Sequence, residues 1–535
     1  MPDPPPYYLL RPDGTPLSDP VIGKGSSGVV VQRDGTAVKL PLRYCILEGG
    51  ETEREALEHS SYKSQESIKQ EKNVFERLGQ CDGVVQYLDI SGPGIQMKLM
   101  ENGSLPNYLR RNTPTTSLLL SWAREMLRGL ILIHERRVIV ADITARNFLL
   151  TGDLSVKFTG FSESAILPLD TDMNTAVAGN GYSIRTDIGL LGAVIYEVIT
   201  GRRSRFDLFK YQTSEPATVA LPPRERLPST KNILLGEFID KCWTNGSFED
   251  EFALLSSLDS AILRHSLEAD KDIYSRLGSH RTVAASAVLP CLSLDTVILQ
   301  QKKPDWAQRL TWIREAANAV AYAHSKNVIL ANVSASNFAV DSNGSLRLYN
   351  FSDARTVSEN GNLHKYDENG ISVKNDVVCY GSLVYYIVTE RRPEFSISKR
   401  GDLFGPAMKK RLQQDLLFSS WLQDSTTPPE ADQVICDVIW NCWTRGKYRA
   451  MDSVCRAMSR FDRLHLIMDS ISVRLPCLIR QYPLVFAFAI FGSLAFATTW
   501  LRPDSPRRVA GFDIFVTEDQ AASQITVRVL RLDHP

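Results

Sequence analysis

The sequence predicts an α+β protein built from two tandem copies of one domain type, and three observations carry that expectation. The segment HERRVIVADITARNFLL beginning at His134 recurs without a gap as HSKNVILANVSASNFAV beginning at His324, and self-similarity identifies repeated units before any single motif does. Each is preceded by apolar residues at helical spacing: Trp122, Met126, Leu130 and Ile133 in one, and Trp306, Leu310, Ile313 and Val320 in the other. Each is followed by a short hydrophobic strand expected to end in Phe-Ser, at Phe161-Ser162 and Phe351-Ser352. His134 to His324 and Phe161 to Phe351 are both 190 residues apart, so the register holds through loop and strand.

The correspondence extends both ways. RTDIGLLGAVIYEVITGRR around Asp187 matches VKNDVVCYGSLVYYIVTERR around Asp376, Lys241-Cys242-Trp243 matches Asn441-Cys442-Trp443, and EKNVFERLG from Glu71 matches DKDIYSRLG from Asp270. These limits give a tail over 1–14, a first copy over 15–265, a second over 266–463 and a C-terminal tail over 464–535.

Composition narrows the partners. The 535 residues carry 61 Lys+Arg against 61 Asp+Glu, so there is no basic field to hold nucleic acid. A hydrophobic content of 43% and a charged content of 23% are those of an ordinary globular chain. Nine cysteines without CxxC pairs suit a reducing compartment, with no disulfide scaffold or zinc module. The opening MPDPPPYYLLRPDGTP has no basic region followed by an apolar core, so a cytoplasmic location is expected.

The chemistry-bearing motifs begin at Ile22. Gly23, Gly25 and Gly28, flanked by Ile22 and Val30, would let backbone amides close over phosphate oxygens while the two apolar side chains cover a base. Such a glycine pattern alone reads better as a bare hairpin. Its context strengthens it: Asp34-Gly35 is a two-residue hairpin turn, and the return strand from Thr36 to Leu40 carries Ala37, Val38 and Lys39 beside the glycines.

With these residues the first copy resembles a eukaryotic protein kinase over Ile22 to Ile262, and more narrowly the divergent fungal kinase-like proteins with an HADISxxN catalytic loop and a KCW segment near the end. The resemblance implies a bilobal fold that binds ATP and acts on or with other proteins. It implies that Ile22, Gly23, Gly25, Gly28, Val30 and Ala37 surround the nucleotide and that Lys39 contacts its phosphates. Glu71 would hold Lys39 in place, its alternative being a solvated helix charge. Base contacts would fall near Leu99 to Asn102. In the catalytic loop Asp142 would accept the substrate proton and Asn147 would bind a metal ion, five residues apart as in H-R-D-x-x-x-x-N.

Departures from the pattern put the chemistry in doubt. Val140 and Ala141 replace the His and Arg of that motif; Thr144 stands where Ser/Thr kinases carry a lysine, whereas Arg146 sits as in the tyrosine-kinase-like DLxARN pattern, which leaves the substrate class open between Ser/Thr and Tyr. Where D-F-G would stand the residues are Gly160-Phe161-Ser162. The missing carboxylate normally binds Mg²⁺ and neutralises phosphate charge, so Mg²⁺ is a doubtful cofactor. Glu163 could approach a cation, but a strand-end residue pointing elsewhere is the simpler reading. No A-P-E follows.

In the second copy Asn332 replaces the proton acceptor, and an amide is no general base. Asn350 replaces the metal carboxylate, and too few residues precede Asp270 for a leading sheet, which makes this copy a kinase-like C-lobe with a vestigial N-lobe. Finally, no charge occurs from Gln481 to Leu501. The apolar segment 482–501 meets the roughly 20 residues that span a bilayer, with Tyr482 and Trp500 at its ends as interfacial aromatics. A buried packing helix and a gene-model artefact are the alternatives. Gln524 to Leu532 alternates like a strand. Three functions are open: an ATP-binding pseudokinase with a regulatory or scaffolding role, an active divergent kinase, and a membrane-tethered interaction module without nucleotide.

Overall fold

The computed structural model describes residues 7–46, 50–203, 220–244, 247–248, 250–284, 292–300, 304–358, 361–365, 371–391, 431–444 and 447–459, with the strand segments 507–509, 512–519 and 524–531. The chain divides into two compact units, Met1–Arg456 and Ala457–Pro535.

Strands β1 (Tyr7–Leu9), β2 (Val21–Gly25), β3 (Gly28–Arg33), β4 (Thr36–Leu40) and β5 (Tyr44–Ile46) are followed by helix α1 (Glu51–Leu78) and strands β6 (Tyr87–Asp89) and β7 (Ile95–Lys98). An antiparallel sheet forms in the order β2-β3-β4-β7-β6. The hairpin between β3 and β4 turns as expected: Asp34 and Gly35 both take positive φ, 48° and 74°, the geometry whose twist matches the flanking strands. Strand β1 pairs antiparallel with β5, and its Tyr7 ring meets Tyr44 edge-on at 5.1 Å. Helix α1 buries Ile68, Glu71, Val74, Phe75 and Leu78, a stripe at three- and four-residue spacing.

The helical layer follows: β8 (Gly103–Ser104), α2 (Leu105–Leu109), α3 (Thr116–Glu135), β9 (Val138–Ile139), β10 (Phe148–Leu150), β11 (Val156–Phe158), β12 (Ala165–Ile166), α4 (Ile184–Thr200), α5 (Gly236–Trp243) and α6 (Glu251–Ala269). The apolar stripe of α3 is its core face, for Trp122, Met126, Leu130 and Ile133 are all buried. Strand β11 stops at Phe158, three residues short of the expected Phe161, because the backbone turns at Gly160 with φ 79°.

Beyond α6 come α7 (Lys271–Leu277), β13 (Leu292–Ser293), α8 (Leu294–Leu299), α9 (Trp306–Ser325), β14 (Val328–Ile329), β15 (Phe338–Val340), β16 (Leu346–Leu348), β17 (Arg355–Thr356), α10 (Val373–Thr389) and α11 (Ala431–Trp443). Strand pairings β13-β15-β16 and β14-β17 repeat those of β8-β10-β11 and β9-β12. Gly192 on α4 and Gly381 on α10 play one part: a Cβ at either would stand 2.7 Å from the Cβ of Cys242 or Cys442 and 3.0 Å from the indole nitrogen of Trp243 or Trp443. Only a bare backbone lets these helices approach so closely. Helix α6 crosses the expected limit at 265 and ends at Ala269, one residue before Asp270.

In the second unit β18 (Arg507–Val509), β19 (Phe512–Asp519) and β20 (Gln524–Arg531) pair antiparallel, the last being the strand read from alternation at 524–532. The apolar segment 482–501 lies outside the described residues; among those described, no helix is long and apolar enough to cross a membrane.

Candidate active site

The glycine turn, the strand lysine and the helix glutamate converge. Lys39 on β4 donates from Nζ to Glu71 Oε2 on α1 at 2.6 Å, with only 11% and 2% of the two side chains exposed. Glu71 is therefore a buried partner and not a solvated helix charge. Its other oxygen, Oε1, accepts the Phe161 backbone N–H at 2.8 Å. One carboxylate thus ties β4 to the Gly160-Phe161-Ser162 segment, and the Phe161 ring packs edge-on against Phe75 of α1 at 5.5 Å.

Of the three glycines, Gly28 alone is required by the backbone. Its φ is 152°, and a Cβ there would lie 2.6 Å from the Leu40 carbonyl oxygen and 3.4 Å from Lys39 Cε. The turn therefore lies directly over the lysine. At Gly25 a Cβ would meet nothing within 4 Å, and at Gly23 only Val30 at ordinary contact distance. Ile22 is exposed, Val30 half-buried and Ala37 buried, so apolar surface remains free beside the lysine.

Asp142 and Asn147 are brought together. Asn147 Nδ2 donates to the Asp142 carbonyl at 2.9 Å and to Asp142 Oδ2 at 3.0 Å. The exposed Arg146 reaches the same carboxylate at 3.2 Å, leaving Asp142 27% exposed. Gly160 lies against this pair, because a Cβ on it would stand 2.8 Å from Asn147 Oδ1.

This donor set does not fit Mg²⁺. Asn147 supplies one neutral oxygen, Gly160 supplies none, and no group of three or more His, Cys, Asp or Glu able to hold a metal occurs among the described residues. Hard divalent cations need carboxylate oxygens in near-ideal geometry. Glu163 sits in an exposed turn, not at a strand end, and its carbonyl accepts from Asn180 Nδ2 at 3.1 Å. The set does fit a nucleotide's phosphates, since it offers an ammonium held in place and a turn of backbone N–H groups.

What holds the loop was only half legible. Asp187, at the start of α4, accepts the backbone N–H groups of Val140 at 2.7 Å and Ala141 at 2.9 Å. This fixes Ala141 at φ 66°, a strained conformation for a residue with a side chain. His134 at the end of α3 bridges Asp187 Oδ2 (2.9 Å) and Glu251 Oε1 (2.7 Å). Burial opposes its charge most strongly, yet Glu251 and Asp187 together raise it to about 10. The recurrence of His134 and Asp187 as His324 and Asp376 was the signal that could have found this bridge; His324 Nε2 again meets Asp376 Oδ2, at 2.8 Å.

Asn332, Asn337 and Asn350 are engaged with neighbours of their own. Asn332 donates to Asp353 at 3.2 Å, Asn337 to the Asn350 carbonyl at 3.0 Å, and Asn350 Oδ1 accepts from the Ser352 hydroxyl. Asp270 repeats one duty of Glu71 by accepting the Phe351 N–H at 3.2 Å.

Comparison with known proteins agrees with this geometry. Residues 22–249 match the family described as protein tyrosine and serine/threonine kinase, so this part of the chain is similar to a protein kinase domain. Similar proteins include mitogen-activated protein kinase kinase 2 of Arabidopsis thaliana, 31% identical over 202 residues, 34% of this chain and 52% of the relative. A probable serine/threonine-protein kinase of Dictyostelium discoideum is 26% identical over 249 residues, 44% of this chain and 38% of the relative. The megakaryocyte-associated tyrosine-protein kinase of Mus musculus is 23% identical over 237 residues, 42% of this chain and 44% of the relative. The chain spans about half the length, or less, of the curated relatives it matches.

Proposed function

We propose that residues 15–265 bind ATP as a pseudokinase with a regulatory or scaffolding role towards protein partners, and that residues 266–463 are a second, degenerate kinase-like copy. The narrower likeness to fungal kinase-like proteins belongs to the same proposal. One observation carries it: the Lys39–Glu71 pair is assembled and bonded to Phe161 N–H, while the adjoining position 160 carries no side chain. The nucleotide side is complete and the metal side is not. The glycine turn and Lys39 would hold the phosphates; Ile22, Val30 and Ala37 would face the base. Phosphoryl transfer depends on neutralising charge on the transferred group, and no described carboxylate at position 160 brings a cation there.

The test is a thermal-shift titration of the full chain with ATP, with and without Mg²⁺, against Lys39→Met. Ligand at about 100 times its dissociation constant stabilises by roughly 2.7 kcal/mol. A shift independent of Mg²⁺ and abolished by Lys39→Met is expected. No shift under either condition would point to the module without nucleotide, whose membrane segment at 482–501 would then be its main functional feature.

A second reading, an active divergent kinase, is favoured by Asp142, whose carboxylate is partly exposed at the loop and bonded to Asn147. Transfer of the γ-phosphate to a protein hydroxyl, abolished by Asp142→Asn, would establish it and overturn the pseudokinase reading.

A further inference from the structure

In the first copy the residues around the cleft floor are open: Arg146 is exposed, and Thr159 and Ser104 are half-buried. Their counterparts 190 residues on are Ser336 and Tyr349. The strand register supplies the third, since Ser104 pairs with Leu149 on β10 and Ser293 pairs with Ala339 on β15. All three counterparts are bonded to two charged side chains of the first copy.

Arg124 on α3 donates from Nη1 to the Ser336 carbonyl at 3.3 Å and from Nη2 to the Tyr349 hydroxyl at 2.8 Å. Its Nε and Nη2 also donate to Asp259 Oδ1 on α6, at 2.9 and 2.6 Å. Asp259 Oδ2 in turn accepts the Ser293 N–H at 3.0 Å and the Thr296 hydroxyl at 2.5 Å. Arg124, Asp259, Tyr349, Ser293 and Thr296 are each at most 2% exposed. One turn along α3, Arg128 donates to the Tyr386 hydroxyl of α10 at 3.2 Å and lies 3.3 Å from Asp295 of α8.

We propose that the Arg124–Asp259 pair is a built-in ligand of the second copy, filling the floor of the cleft where the first copy would hold its nucleotide. The inference rests on the proposed reading of residues 266–463 as a second copy. An apolar contact could cover the same area, but a guanidinium bonded to a carbonyl, a hydroxyl and a carboxylate at once accepts one register only. Replacing a buried ion pair by apolar residues is often neutral for stability, whereas its geometry can specify a unique docking. The floor of the second copy's cleft is in this way occupied by side chains of the first. The same helix α3 then links the loop at 334–337 to the loop at 140–142, which His134 at its far end holds through Asp187.

Hydrogen exchange on the full chain without nucleotide tests this, with Arg124→Lys and Tyr349→Phe as variants. Arg124→Lys keeps the charge but cannot make the fork of bonds. At least tenfold faster exchange at 293–296 and 334–337, with α5 unchanged, is the expected result; Tyr349→Phe should give a smaller acceleration at the same segments. Unchanged exchange at 334–337 in Arg124→Lys, or equal acceleration throughout the chain, would overturn the proposal. Should Arg124→Lys fail to fold, the Arg124→Leu/Asp259→Leu chain keeps the volume without a stranded charge and is read by the same criterion. Exchange needs no ATP, so its outcome is separate from the Lys39→Met titration, which bears on nucleotide binding by the first copy.

Discussion

Glu71→Gln isolates the charge that assembles the site. The amide keeps the shape of the side chain and can still accept the Phe161 N–H, but it leaves the Lys39 ammonium without a counter-charge. Lys39 is only 11% exposed at its side chain, so water recovers little of the loss. Removing one partner of a buried pair costs about 3–5 kcal/mol, and the lower figure sets the smallest loss to expect. For a domain of this size each kcal/mol lowers Tm by about 2–4 °C, which gives a fall of about 6–12 °C by calorimetry. The double variant Lys39→Met/Glu71→Leu strands no charge and should melt closer to the native chain than either Glu71→Gln or Lys39→Met alone. If Glu71→Gln melted within about 1 °C of the native chain, or if the two losses simply added, the pair would not be the fastener described here.

Three further outcomes follow from the geometry. Gly28→Ala should lower Tm and weaken ATP binding, since φ 152° and a Cβ contact of 2.6 Å with Leu40 O admit no side chain, while Gly25→Ala should leave Tm unchanged. The His134 bridge gives a pH signature. Its folded value, about 10, lies above the ordinary 6.5, so its contribution is complete below pH 6.5 and is lost as pH rises towards 10. Melting temperatures across that window should decline in the native chain and flatten in His134→Gln. Gly160→Asp should make the ATP-induced thermal shift respond to Mg²⁺, at a cost of about 1–2 kcal/mol for a side chain in the left-handed region. The new Cβ must also displace the Asn147 carboxamide, which stands 2.8 Å from its position; an unchanged Mg²⁺ response would show that one carboxylate is not enough.

Much of the site was legible because its spacing is local or repeated. Asp142 and Asn147 lie on one short loop, and β3 and β4 are joined by an Asp-Gly turn whose chemistry dictates the hairpin, so Lys39 had to lie near Gly28. The helical stripes of α3 and α9 were legible for the same reason: core-facing residues recur at helical spacing. Glu251 could not be read this way, because its role depends on α6 returning to the end of α3. Nor could the left-handed turn at Gly160, since glycine tolerates that conformation without demanding it.

By itself the sequence determined the glycine, lysine and loop motifs between Ile22 and Asn147, the absence of a carboxylate at Gly160, and the 190-residue spacing of the two similar segments that begin at His134 and His324. These are properties of residue type and spacing, which the chain carries unfolded. The tertiary structure alone decided that Glu71 serves Lys39 and Phe161 together, that Asp187, held by His134, clamps the loop, and that Arg124 and Asp259 meet Ser336, Tyr349 and Ser293. Each of those depends on side chains 32 to 225 residues apart meeting in a buried place. Burial is what makes such charges select their partners, and burial exists only once the chain has folded.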